Sequence, residues 1–191
     1  NSGFENWSIV NGVEEPDNWE TNNTPSPSYR SVTKTNDNYE GDYAMQLISR
    51  GFSIKGYGPG YARTVFTSEG VLNKISAFVK CDSISGAGHG LIRVYGYLNS
   101  TTQEIGYWET NVLIPQYTLV EIPLNPVANY DSLQIFISSS AQGWPFKLAG
   151  FARLKVDQLN AEMVTGTKDL GVESTLEVYP NPASDEVTLS F

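Results

Sequence analysis

Hydrophobic and polar residues alternate with a period of two in a succession of short runs. They are Tyr43–Ser49, Ala62–Phe66, Lys74–Cys81, Leu91–Leu98, Glu104–Leu113, Leu119–Leu124, Ser132–Ser138 and Leu148–Leu159. Each run is of strand length, rich in β-branched or aromatic residues, and bounded by Gly, Pro, Asn, Asp or Ser. No segment carries a good helical period, so the pattern predicts an all-β sandwich or barrel. Strand side chains point alternately to opposite faces, which assigns some of them. Ile92, Val94 and Leu98 fall on one side of their strand, as do Leu133, Ile135 and Ile137, and Ala152, Leu154 and Val156; these are the expected core. The opposite sides mix cations with aromatics: Arg93, Tyr95 and Tyr97, then Phe136, then Phe151, Arg153, Lys155 and Asp157.

Two stretches break the pattern. Residues 11–38 are rich in Asn, Thr, Ser and acidic residues and are interrupted by Pro16, Pro25 and Pro27, so they are expected to form a long surface excursion. Residues 161–174 lose strand character around Gly166 and Gly171 and read as a linker. Alternation resumes in Thr175–Tyr179 and Glu186–Phe191. The expected organisation is one domain over 1–160, the linker, and the beginning of a second module over 175–191. The chain opens without Met or a signal sequence, which suggests a processed or excised piece.

Composition narrows the chemistry. The chain of 191 residues carries 12 Lys and Arg against 21 Asp and Glu, a net charge of −9, which argues against a nucleic-acid partner. No apolar run is long enough to span a membrane as a helix. One cysteine, Cys81, forbids an internal disulfide and reads as a buried strand residue. One histidine, His89, excludes a His-rich zinc site and reads as an exposed loop residue in Gly86–Gly90. Carboxylates such as Glu104, Glu109 and Glu121 carry no motif that would pair them as a glycosidase acid and nucleophile.

Two resemblances add to this reading. Leu176-Glu177-Val178-Tyr179-Pro180-Asn181-Pro182-Ala183, followed by Asp185 and Val187-Thr188-Leu189, resembles the start of the C-terminal sorting domain of Bacteroidetes proteins exported by the type IX secretion system. That resemblance implies a truncated sorting segment over 175–191, the secretion machinery as a partner, and a secreted or cell-surface parent protein. The body of the chain is similar to galactose-binding-like jelly rolls, including carbohydrate-binding modules and a putative carbohydrate-metabolism domain family. The residues that carry this are Gly3-Phe4-Glu5-Asn6-Trp7, Pro16-Asp17-Asn18-Trp19, Tyr39-Glu40-Gly41-Asp42-Tyr43-Ala44-Met45-Gln46-Leu47 and Leu154-Lys155-Val156-Asp157-Gln158-Leu159. It implies a jelly-roll sandwich of two antiparallel sheets. It also implies a structural Ca²⁺ held by Glu5 and Asp157, with backbone oxygens from residues 36–42.

Sugar rings have an apolar C–H face and a polar rim, so they are bound on aromatic platforms flanked by hydrogen-bonding groups. The chain holds 4 Trp, 11 Tyr and 8 Phe. Candidate glycan-binding residues are Tyr57 and Tyr61 in the Gly-rich loop Gly56–Tyr61, the outward set Arg93, Tyr95 and Tyr97, and Trp144 before the last strand. Trp7 and Trp19 read as packing residues. The expectation is a noncatalytic carbohydrate-binding module. The alternatives are a structural or adhesive domain with a protein partner, or an enzyme acting on polysaccharide.

Overall fold

A computed structural model describes residues 3–26, 31–50, 60–67, 72–125, 130–140 and 150–163. Within them lie twelve strands: β1 (Trp7–Val10), β2 (Val13–Pro16), β3 (Glu20–Thr21), β4 (Val32–Thr35), β5 (Ala44–Arg50), β6 (Gly60–Phe66), β7 (Leu72–Gly86), β8 (His89–Leu98), β9 (Thr101–Thr110), β10 (Ile114–Pro123), β11 (Ser132–Ser140) and β12 (Gly150–Met163). Two five-stranded sheets, ordered β10-β7-β12-β5-β4 and β3-β6-β11-β8-β9, pair antiparallel throughout, and β1 and β2 form a separate hairpin. The eight sequence runs become β5 to β12. Among the described residues no helix is long and apolar enough to cross a membrane.

The alternation that predicts the strands also builds the core. Met45, Leu47, Ile75, Val79, Ile92, Val94, Ile135, Ile137, Leu154 and Val156 are fully buried between the sheets. Burial of side chains of this size stabilises by about 1.5–3 kcal/mol each before conformational entropy is charged against it. Cys81 lies in this core, and burial pushes its thiol up to about 11, so it stays protonated and apolar at neutral pH.

Several expectations are corrected. Residues 11–38 are not an excursion: they contain β2, β3 and β4, and they bury Val13, Trp19 and Val32. Asn11 and Gly12, both at positive φ (52° and 78°), close the β1–β2 hairpin. Asn23 then accepts the amides of Ser31 and Val32 on Oδ1, both at 2.9 Å, and donates Nδ2 to the Val32 carbonyl at 2.6 Å. One side chain thereby substitutes for a strand backbone. β9 ends at Thr110, so Val112 and Leu113 are exposed in the turn to β10. β12 continues to Met163, so the first residues of the expected linker belong to the last strand. Residues 164–191, with the sorting segment, lie outside the described residues.

Candidate functional site

The two sheets differ in what covers their outer faces. On β10-β7-β12-β5-β4 the loop between β4 and β5 folds over the surface. Its Asp37 accepts Lys80 Nζ on both oxygens at 2.9 Å and also accepts Lys155. Asp82 accepts Lys155 at 2.7 Å and Arg153 Nε at 2.6 Å, from a bulge where β7 slips against β12 between Arg153 and Leu154. Tyr39 of the loop stacks on Phe78, with centroids 3.5 Å apart, and Tyr117 donates its hydroxyl to the Asp37 carbonyl. Lys155 is left 5% exposed. Burial pushes the Asp37 carboxyl up, but hydrogen bonds from Lys155 and Lys80 outweigh it and hold the carboxyl below its ordinary value. Asp82 is held low in the same way by Lys155 and Arg153.

The two expected metal ligands anchor this same loop. Glu5 Oε2 accepts the amides of Asp42 and Tyr43 at 3.0 and 3.1 Å. Asp157 is fully buried; its Oδ2 accepts the amides of Tyr39 and Glu40 at 2.8 and 3.1 Å, and its Oδ1 accepts Gln158 at 2.8 Å. Gly41 sits at φ 81°, and a Cβ there would fall on the Glu5 carboxylate, so only glycine fits. Among the described residues no group of three or more acidic, His or Cys side chains is placed to hold a metal. One atom nevertheless suits a cation: Glu5 Oε1 is buried with no hydrogen-bond partner. Of the two expected ligands, Glu5 thus keeps one oxygen open to a cation, whereas both oxygens of Asp157 already accept amide hydrogens.

The outer face of the second sheet has no such covering loop among the described residues. Its cross-strand register places side chains in rows: Glu20, Arg63, Phe136, Arg93 and Tyr107 in one, Val65, Gln134, Tyr95 and Glu104 in the next. Tyr61 stacks on Phe136 with centroids 5.3 Å apart. The Arg93 guanidinium lies 5.4 Å over the Tyr107 ring, donates Nη1 to Tyr95 Oη at 3.4 Å and sits 3.6 Å from Glu104. The Tyr95 hydroxyl, and then the neighbouring negative groups, hold the Arg93 pKa above its ordinary value. Tyr97 donates to Gln134 Oε1 at 3.1 Å, Tyr107 donates to Glu109, and Arg63 pairs with Glu20 at 2.6 Å.

Glu104 reaches this face because β9 bulges. Val94 pairs with Gly106 and Tyr95 with Glu104, so Ile105 is the extra residue and turns into the core. The phase of β9 shifts there, and Glu104 joins Tyr107 and Glu109 on the outside. Beside the rows, a cleft of about 520 Å³ is lined by Asn18, Trp19, Glu20, Arg63, Val65 and Gln134 among others.

Of the expected glycan-binding residues, Tyr61, Arg93, Tyr95 and Tyr97 are brought together on this face. Tyr61 belongs to β6 rather than to the Gly-rich loop, because β6 begins at Gly60. Tyr57 and Trp144 lie outside the described residues. Sequence reasoning passed over Arg63, Gln134 and Tyr107; the parity that exposes Tyr95 exposes them too once the register is known. His89 is also corrected: it starts β8 and lies half-buried, 3.8 Å from Glu109. Trp19 packs on Phe4 at 5.3 Å and Trp7 donates Nε1 to the Phe4 carbonyl at 2.6 Å, as packing residues do.

Two five-stranded antiparallel sheets packed face to face make this chain an all-β jelly-roll sandwich. Among solved structures it is similar to the CBM22-1 xylan-binding domain from Paenibacillus barcinonensis, at 15% identity over 86% of this chain and 92% of that one, with a TM-score of 0.50. It is similar to a structure described for the promiscuous specificity of carbohydrate-binding modules of the β-sandwich superfamily, at 13% identity over 82% of this chain and 60% of that one, TM-score 0.50. The module TmCBM61, solved with β-1,4-galactotriose, aligns at 12% identity over 85% of this chain and 91% of that one, TM-score 0.46. At these identities the two likenesses with a TM-score of 0.50 establish the fold alone. No family model and no curated protein sequence matches the chain.

Proposed function

We propose that the chain is a noncatalytic carbohydrate-binding domain and that the outer face of β3-β6-β11-β8-β9 is its glycan platform. The observation that carries this is the row Arg63, Phe136, Arg93 and Tyr107, which no loop among the described residues covers, with Tyr61 stacked at one end. Aromatic faces there would take the C–H side of sugar rings, while Arg93, Gln134 and Glu104 would bond the hydroxyls. Each cation of the face has an acidic neighbour, so the platform suits a neutral glycan. The carboxylates Glu104 and Glu109 lie open to water and are engaged by Arg93 and Tyr107, which suits orientation of a ligand better than proton transfer. Thermal-shift and tryptophan-fluorescence titrations against plant, algal and bacterial glycans test the reading. A saturable response that falls in Tyr107→Ala supports it; silence across the panel moves the weight to an adhesive domain with a protein partner.

Three finer readings accompany it. Ca²⁺ would be held by Glu5 and Asp157 with carbonyls of residues 36–42, tying the first residues and the last strand to one loop. Chelator should then lower the melting temperature, and Glu5→Gln should remove that sensitivity; a melt indifferent to chelator, with no metal by elemental analysis, rejects the ion. Export by the type IX system, and with it a secreted or cell-surface location, rests on the Tyr179-Pro180-Asn181-Pro182 segment alone. Retention of a reporter inside cells after deletion of residues 175–191 from the parent protein is the expected result.

A further inference from the structure

On the opposite sheet, past the edge of the 36–43 loop, lies a second cleft of about 400 Å³ between β7, β10 and β12. Leu119, Leu159 and the part of Phe78 that Tyr39 leaves clear give it an apolar floor, and Glu40, Ser76, Gln158 and Asn160 give it a polar rim. Its shape comes from a bulge in β12. Asp157 pairs with Phe78 and Asn160 with Ser76, so β12 fits two residues where β7 has one. The in-out phase reverses there: Leu159 turns into the core, and Asn160 turns outward beside Ser76.

Gln158, inside the bulge, sits at φ 47°, left-handed backbone that a side-chain-bearing residue adopts only at a cost. The buried Asp157 holds it there, accepting the Gln158 amide on one oxygen and the Tyr39 and Glu40 amides on the other. One carboxylate thus fixes the strand wall and the loop wall of the cleft. The rim side chains make no hydrogen bond or ion pair with the described residues. Two amides, a hydroxyl and one carboxylate offer donors and acceptors, no cation among the described residues lines the cleft, and the floor is apolar.

We propose that this cleft is a second carbohydrate site, taking a neutral sugar residue that rests against Leu119 and the part of Phe78 that Tyr39 leaves clear, while its hydroxyls meet Gln158, Asn160, Ser76 and Glu40. It stands on geometry separate from that of the glycan platform. The two sites face away from each other across the sandwich, so a doubly occupied molecule would tether two glycan chains.

Isothermal titration of the full chain with xylotriose, cellotriose and β-1,4-galactotriose, each alone, counts the sites. Two binding events with at least one sugar are expected. One should weaken tenfold or more in a Glu40→Ala, Asn160→Ala double variant and the other in Tyr107→Ala, with the melting temperature of each variant near that of the parent. A single event that is lost in Tyr107→Ala and intact in the double variant overturns the second site and leaves the platform standing. A single event lost only in the double variant keeps the second site and overturns the platform. No event with any of the three sugars overturns both.

Discussion

The outer faces of the two sheets carry the same kinds of group and use them differently. On β10-β7-β12-β5-β4, cations, carboxylates and aromatics are closed over by Asp37 and Tyr39 of the protein's own loop, and Lys155 is almost inaccessible. On β3-β6-β11-β8-β9, Arg93 keeps 39% of its side chain exposed and Tyr107 is 44% exposed. The contrast teaches that side-chain chemistry alone does not make a binding face. A cation satisfied by a buried network contributes to stability, whereas one held at moderate distances among exposed aromatics still has capacity for a ligand.

The comparison can be broken most forcefully on the covered side. Lys155→Ala leaves Asp37 and Asp82 without their shared cation, and a loss of about 3 kcal/mol is expected, the low end for a broken buried pair because Asp37 is partly exposed. For a domain of this size the midpoint should fall by on the order of 10 °C in a thermal melt. A drop of only a degree or two would mean that the network is no tighter than a surface pair. On the open side, Tyr107→Ala should cost glycan affinity roughly tenfold, about 1.4 kcal/mol, with little change in melting temperature. Calorimetric titration reads the first and a melt the second; a large loss of stability would show that Tyr107 is structural.

pH separates the faces further. The folded pKa values of Asp37 and Asp82 lie below their ordinary carboxylate values. Their contribution is therefore fully present above about pH 4 and is lost as pH falls through the depressed values. Melting temperatures recorded downward from pH 5 should decline below about pH 4, and Asp37→Asn should flatten that decline; an identical profile in the variant would exclude the Asp37 pairs as its source. The smallest effect is expected for Arg93→Lys. It keeps the charge but loses the planar fork over Tyr107, so affinity should fall a few-fold with stability unchanged.

How much of this was legible beforehand divides along physical lines. Period-two alternation located β5 to β12, because each has one face in the core. The same alternation exposed Arg93, Tyr95 and Tyr97 together. It missed β1 to β4, where the hairpin signal Asn11-Gly12 was present but passed over beneath the surrounding polar residues, and where Asn23 supplies backbone-like bonds that no periodicity reports. It also missed which strands are neighbours: Phe136 beside Arg93 and Tyr107 beyond it follow from register, and the outward turn of Glu104 and Asn160 follows from bulges. The pairing of Glu5 and Asp157 with one loop came from resemblance, and the structure adds that most of their oxygens already take amide hydrogens.

The loop anchored by Asp157 has a consequence for how the chain reaches its native state. The amide of Tyr39 finds its acceptor 118 residues later. During synthesis the loop, and the face it seals, must wait for nearly the whole domain to emerge before that contact can form. Closure of so long a segment costs chain entropy before it returns any bonding, which places it late on the folding route. Until then Phe78 and the lysines beneath the loop are open to other proteins, and the last strand acts as the timer that ends this exposure.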